Sequence, residues 1–228
     1  LPLTAASEIL VVGNLLDEKN IGDNGSSRVS PKKISTLKAA IKKQFPAARF
    51  LASNDPTLIS QEAAQAKYVI VIAGFLPEQE GENLTSNRKY QPNAAEPVNK
   101  GGDRKDLHLP ADQQALLTAA TLANRNTIAV IISGSACYLD PWLADLRAVV
   151  WAGYYGECGA DALAHILAGK HNPSGQLPFS WPTVHNTLPP FDRTAPQIKY
   201  DYFHGYRLLD HLNQQPAFYF GHGLTYST

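Results

Sequence analysis

Tyr68-Val69-Ile70-Val71-Ile72-Ala73-Gly74 is the stretch that decides the fold. Its first five residues are all β-branched or aromatic, and an unbroken apolar run of this kind reads as a buried strand that Gly74 stops. Beyond it, as far as Leu109, the pattern is irregular: Pro77, Glu78, Glu80, Glu82, Pro92, Glu96, Pro97, then Gly101-Gly102-Asp103-Arg104. In a compact domain, a connection of more than about 15 residues without its own secondary structure is either functional or disordered. This one leaves a strand end, where ligands collect in open α/β sheets, and it carries glutamates at the alternate positions 78, 80 and 82. If the chain does chemistry, its acid belongs here. The simpler reading of three such carboxylates is a solvated surface. Against it stands Asp103-Arg104, which returns just before a new helix as if to tie the segment down.

Working outward, Glu8–Val12, Ala48–Ala52, Thr127–Ile132 and Ala148–Ala152 read as further strands. Between them lie helical patterns. Ser30-Pro31 resembles a cap with proline at the first helical position, followed by Ile34, Leu37, Ile41 and Phe45 on one face. Asp55-Pro56 opens a second helix with Leu58, Ile59 and Ala63 inward, and Asp140-Pro141-Trp142 repeats the device. Pro110 to Asn124 and Ala160 to Ala168 complete the set, the latter closed by Gly169. Apolar strands alternating with helices imply an α/β fold: a mostly parallel sheet of five to six strands with helices on both faces. From His171 onward, prolines alternate with large aromatic anchors, so residues 171–228 read as an irregular arm wrapped over a 4–170 core, able to add an edge strand.

At 228 residues the chain suits one large α/β domain. Lysine and arginine balance aspartate and glutamate at 20 each, which leaves no net field for nucleic acid or an anionic membrane. No apolar run approaches the ~20 residues of a membrane-spanning helix. The two cysteines cannot frame a disulfide scaffold, and the seven histidines fall in no metal-ligand spacing, so neither metal nor cofactor is expected. The chain opens on Leu1-Pro2-Leu3 and holds no methionine, which reads as part of something longer.

Other chemistries fit poorly. Gly13-Asn14-Leu15-Leu16 is neither a dinucleotide fingerprint nor a phosphate loop. Ser133-Gly134-Ser135-Ala136-Cys137 follows a strand as a nucleophile elbow does, yet lacks the Gly-x-Ser-x-Gly frame and reads better as a tight turn. Cys137 has no electropositive neighbour in sequence to activate it. His204 and His222, set between aromatics, suit packing or a hydrogen bond to substrate. Asn24-Gly25-Ser26 and Asn83-Leu84-Thr85 match glycosylation acceptors, a pattern too common to weigh. Glycoside cleavage remains. It needs a carboxylic acid to protonate the leaving oxygen and a second carboxylate across the sugar. A glutamate near Phe75, Leu76 and Pro77 has surroundings that could push its carboxyl up by partial burial, as a general acid requires.

A resemblance gathers these pieces. Ile21-Gly22-Asp23-Asn24-Gly25-Ser26-Ser27-Arg28-Val29, Glu80-Gly81-Glu82 with Gly102-Asp103-Arg104, and Leu109-Pro110 with Gln114 come first. Ser133-Gly134-Ser135-Ala136, Trp151-Ala152-Gly153-Tyr154-Tyr155-Gly156 and Asn172-Pro173-Ser174-Gly175-Gln176-Leu177-Pro178 follow. Gly205-Tyr206-Arg207 and Phe220-Gly221-His222-Gly223-Leu224-Thr225-Tyr226 close the series. In this order they resemble the C-terminal α/β-sandwich domain of glycoside hydrolase family 3, the β-glucosidase-like enzymes. The resemblance implies a retaining exo-β-glycosidase that removes terminal β-linked glucosyl residues from a β-linked glucoside or oligosaccharide. It also implies a preceding (β/α)₈ barrel that supplies an aspartate nucleophile, and a periplasmic or secreted location. Mapped onto this chain, it puts the acid/base at Glu80 first and Glu82 second. Glu78, Asp103, Arg104 and His204 are expected to bind substrate or position the loop. Without the barrel, the chain should be nearly inactive. The competing reading is a non-catalytic sandwich domain that binds carbohydrate or a partner.

Overall fold

A computed structural model describes residues 1–22, 27, 29–80, 104–192 and 195–227. Five strands form a single sheet: β1 (Ile9–Val12), β2 (Arg49–Leu51), β3 (Tyr68–Gly74), β4 (Thr127–Ile132) and β5 (Ala148–Trp151). Their order is β2-β1-β3-β4-β5 and every pairing is parallel. The run that opened the reading lies at the centre of this sheet. β3 pairs Val69–Gly74 with Thr127–Ile132 on one side and Tyr68–Val71 with Ile9–Val12 on the other.

Helices cover both faces, as the two-sided apolar strands require. They are α1 (Leu37–Gln44), α2 (Pro56–Ala64), α3 (Pro77–Glu80), α4 (Ala111–Ala123), α5 (Asp140–Leu143), α6 (Gly159–Leu167) and α7 (Tyr206–His211). The strand period of two divides the core. Leu10, Val12, Val69, Val71, Ala73, Ala129 and Ile131 meet α2 and α4. Ile9, Val11, Ile70, Ile72, Ile128, Val130 and Ile132 meet α1 and α6.

Helix starts differ from expectation in instructive ways. α1 begins at Leu37 rather than after Ser30, because Thr36 Oγ1 accepts the Ala39 N–H at 3.3 Å and so caps the helix there. Asp55 does cap α2, accepting from Thr57 and Leu58 N–H at 2.9 and 3.3 Å, with Pro56 first in the helix. Leu58, expected inside, is 36% exposed, while Ile59 and Ala63, four residues apart on one face, are fully buried. Asp140 caps nothing. It lies inside α5, and its Oδ2 accepts from Val184 N–H at 3.3 Å.

The arm adds no sixth strand among the described residues. It meets itself at one antiparallel bridge, Trp181 to Phe218. Trp181 is buried, donates from Nε1 to the Cys137 carbonyl at 2.5 Å, and packs edge-on to Trp151 of β5 with ring centroids 6.1 Å apart. No helix among the described residues is long and apolar enough to cross a membrane.

The facing of α2 gives a direct test. Ile59→Ala should destabilise the chain by about 2–5 kcal/mol in urea unfolding, because it leaves a cavity between α2 and α4. Leu58→Ala should stay within about 0.5 kcal/mol. Equal losses would mean the helix is turned differently.

Candidate active site

In a parallel sheet all the strands end on one side, so three consecutive neighbours (β3, β4 and β5) deliver their following turns to one place. The chain leaves β3 through Phe75, whose N–H bonds to the Ile132 carbonyl at 2.9 Å. A Cβ on Gly74 would lie 1.9 Å from that carbonyl oxygen, so only glycine permits the close approach. Pro77 then starts the short helix α3, and Gln79 Oε1 turns back to accept the Leu76 N–H at 2.8 Å. That is half of a capping box. Glu80 ends α3.

The Glu80 carboxylate is ringed by donors. Oε1 pairs with Arg104 Nε at 3.0 Å. Oε2 accepts the Gly134 N–H at 2.8 Å, from the turn after β4, and the Tyr154 hydroxyl, from the turn after β5. The two charged side chains are only 6% and 11% exposed. Arg104 is itself gripped. Its Nη2 donates to Ser135 Oγ and, at 2.9 Å, to the Ala136 carbonyl, and its guanidinium lies 4.5 Å from the centre of the Phe75 ring. Arg104 Nη1 is buried with no acceptor among the described residues.

The turn that holds this pair is held in its own right. Trp151 Nε1 donates to the Ser133 carbonyl and hydroxyl at 3.0 and 3.1 Å, and Ser133 Oγ donates to the Ser135 carbonyl at 2.7 Å. Gly134 lacks the Cβ that would come within 2.9 Å of the Tyr154 ring, and so lets the phenol lie across the turn and reach Glu80. Past Arg104, the Leu107 carbonyl accepts the Tyr138 N–H at 2.9 Å and leads the chain into α4. Beside Tyr154, a small hollow is lined by Leu15, Asn20, Phe75, Pro77 and Ile132.

Glu80, expected as the proton donor, has both carboxylate oxygens engaged in a polar knot. Arg104 is the expected anchor and Glu80 is its partner. Glu82 and Asp103 lie outside the described residues, and Glu78 is placed by its backbone alone, in α3. His204 sits on the arm, with Nδ1 2.8 Å from the Asp201 carbonyl and its ring beside Tyr200. No contact among the described residues joins it to Glu80 and Arg104. Gly134 and Tyr154, quoted above within resemblance motifs but given no site role, prove to be part of the knot. Their only signal was position: each follows a strand that neighbours β3.

A family profile, the glycosyl hydrolase family 3 C-terminal domain, matches residues 1–226. The chain belongs to that family. It is 30% identical to the β-glucosidase BoGH3A of Bacteroides ovatus over 96% of its own length and 31% of that protein's. It is 29% identical to an exo-α-(1→6)-L-arabinopyranosidase of Bifidobacterium longum over its full length and 30% of that protein's. The chain thus spans about a third of the curated relatives it matches. The Bifidobacterium adolescentis family 3 β-glucosidase superposes on the whole chain with a TM-score of 0.80 and 26% identity, over 33% of that structure. The Trichoderma reesei β-D-glucoside glucohydrolase shares the fold over the whole chain, with a TM-score of 0.84 at 24% identity and 34% of that structure covered.

Within this family 3 domain the cysteines take opposite positions. Burial pushes the Cys137 thiol up to about 12; the Arg104 charge opposes the shift but does not overcome it, and Glu80 adds to it. Cys137 therefore gains an electropositive neighbour in space and still stays a thiol, unfit as a nucleophile. Cys158 is exposed. Iodoacetamide at about pH 8 should label Cys158 and spare Cys137 in the folded chain, with both labelled after denaturation. Mass spectrometry showing prompt modification of folded Cys137 would contradict its burial.

Proposed function

We propose that this domain is the C-terminal part of a retaining exo-acting β-glycosidase that removes terminal β-linked glucosyl residues. It lends the general acid/base glutamate to a cleft shared with a (β/α)₈ barrel that carries an aspartate nucleophile. In such a reaction the acid protonates the glycosidic oxygen as the nucleophile attacks the anomeric carbon. The same carboxylate then takes a proton from the water that releases the sugar. Membership of the family and the β-glucosidase among its relatives support the reaction class. The exposed aromatic side chains of the arm, Tyr202, Tyr206, Tyr219 and Phe220 among them, offer surface for a companion domain.

The observation that carries the reading is the Glu80–Arg104 pair. It joins the two ends of segment 81–103 at the strand-end side of the sheet. With both its oxygens engaged, Glu80 is best suited to hold the segment, and the proton donor is a glutamate within it. Glu82 stands two positions after Glu80 in the sequence, and Glu96 eight positions before Arg104.

Glu80→Gln, Glu82→Gln and Glu96→Gln, made in the protein that includes the barrel and assayed on an aryl β-glucoside, decide the matter. Either Glu82→Gln or Glu96→Gln should lose about 10²–10⁴-fold in turnover and regain it with azide, which attacks the glycosyl-enzyme without a general base. Glu80→Gln should not be rescued. Azide rescue at Glu80 alone would return the acid/base role to that residue. Separately, the 228-residue chain assayed without a barrel should show almost no turnover of the same substrate, and substantial activity would overturn the division of labour.

A further inference from the structure

We propose that the C-terminal arm is a strap over the turn that holds Glu80 and Arg104, anchored by Trp181, so that arm and turn open and close as one unit. The inference is independent of which glutamate donates the proton.

The turn after β4 is held at each end by an indole. At the first end, Trp151 Nε1 donates to the Ser133 carbonyl and hydroxyl at 3.0 and 3.1 Å. At the other, Trp181 Nε1 donates to the Cys137 carbonyl at 2.5 Å. Every group by which this turn touches the pair lies between those ends: the Gly134 N–H on Glu80, and the Ser135 hydroxyl and Ala136 carbonyl on Arg104. The indoles also share a ring cluster. Phe179 lies 5.2 Å from Trp151 and 5.8 Å from Trp181 between ring centroids.

The two indoles differ in what fixes them. Trp151 belongs to β5 and pairs with Ile131 in the sheet. Trp181 belongs to the arm, which leaves α6 through the mostly exposed residues 171–176. The arm closes on itself around Trp181. The Trp181 N–H donates to the Phe218 carbonyl and its carbonyl accepts the Ala217 N–H, both at 2.8 Å. Four residues earlier, the Leu177 N–H donates to the His222 carbonyl at 2.9 Å, and its carbonyl accepts the Gly221 N–H at 2.8 Å. Leu177, Phe179, Ala217 and Phe218 pack on the core face that contains Trp181 and Cys137.

Lifting this clasp removes the donor from a buried carbonyl and uncovers the Trp151 ring in one step. A buried acceptor left unpaired is costly, so the turn must rearrange, and Gly134, Ser135 and Ala136 move with it. Groups coupled in this way open together, at a lower free energy than global unfolding.

Hydrogen exchange read by mass spectrometry in the full-length protein, across urea concentrations below the unfolding transition, tests the coupling. After correction for intrinsic rates, the Trp181, Ala217 and Gly134 amides should exchange within about threefold of one another, with a common urea dependence. Val11 and Val71, in β1 and β3, should exchange more slowly. Trp181→Phe keeps a ring and removes the indole N–H. It should speed both Gly134 exchange and iodoacetamide labelling of Cys137 about 3- to 10-fold, with Val11 and Val71 within about twofold of their former rates. Ile41→Val, which loosens the opposite face of the sheet at α1, should leave Gly134 and Cys137 within about twofold. Clasp amides more than about tenfold faster than Gly134 would mean the arm lifts while the turn stays closed, and would overturn the proposal. An effect of Trp181→Phe confined to the arm, or matched at the turn by Ile41→Val, would overturn it as well.

Discussion

The contact between Glu80 and Arg104 joins the turns that follow β3, β4 and β5. Two charges taken almost wholly out of water lose hydration that their mutual attraction alone does not restore. The structure compensates with hydrogen bonds to two neighbouring turns: the Gly134 N–H and the Ser135 and Ala136 oxygens after β4, and the Tyr154 hydroxyl after β5. Such an arrangement is poor as a source of bulk stability and better as a source of geometry, because its hydrogen bonds are directional. It also brings Glu80 and Arg104, far apart in sequence, side by side.

The sheet makes this possible. Parallel pairing in the order β2-β1-β3-β4-β5 places the turns after β3, β4 and β5 side by side on one edge of the domain. Each contributes a different chemical part: a carboxylate on a one-turn helix, a small-residue turn whose N–H donates to it, and a phenol. Gly74 and Gly134 matter because they let these parts approach; side chains there would strike the Ile132 carbonyl and the Tyr154 ring.

Cys137 illustrates how surroundings in space reverse an inference from surroundings in sequence. Its neighbours along the chain carry no charge, yet Arg104 lies close enough to favour the thiolate. Burial still dominates, so the thiol stays protonated, though for a different reason from the one its sequence neighbours suggest. Leu58 is a similar case on a smaller scale. It is apolar and in a helix, but one position away from the Ile59–Ala63 face it stays at the surface.

The sequence by itself determined the sheet, its parallel sense, and the helices on both faces, because apolar runs such as Tyr68–Gly74 and Thr127–Ile132 can be satisfied only by burial on two sides. It also determined the family, through short motifs kept in order along the chain. That Glu80 is enclosed by donors from two neighbouring turns was decided only by tertiary structure. Glu80 and Glu82 look alike in sequence; nothing in that order says that one of them will lie against Gly134 and Tyr154, residues 54 and 74 positions away. Strand order brings those residues to Glu80, and strand order is fixed by the packing of the whole sheet rather than by any local pattern.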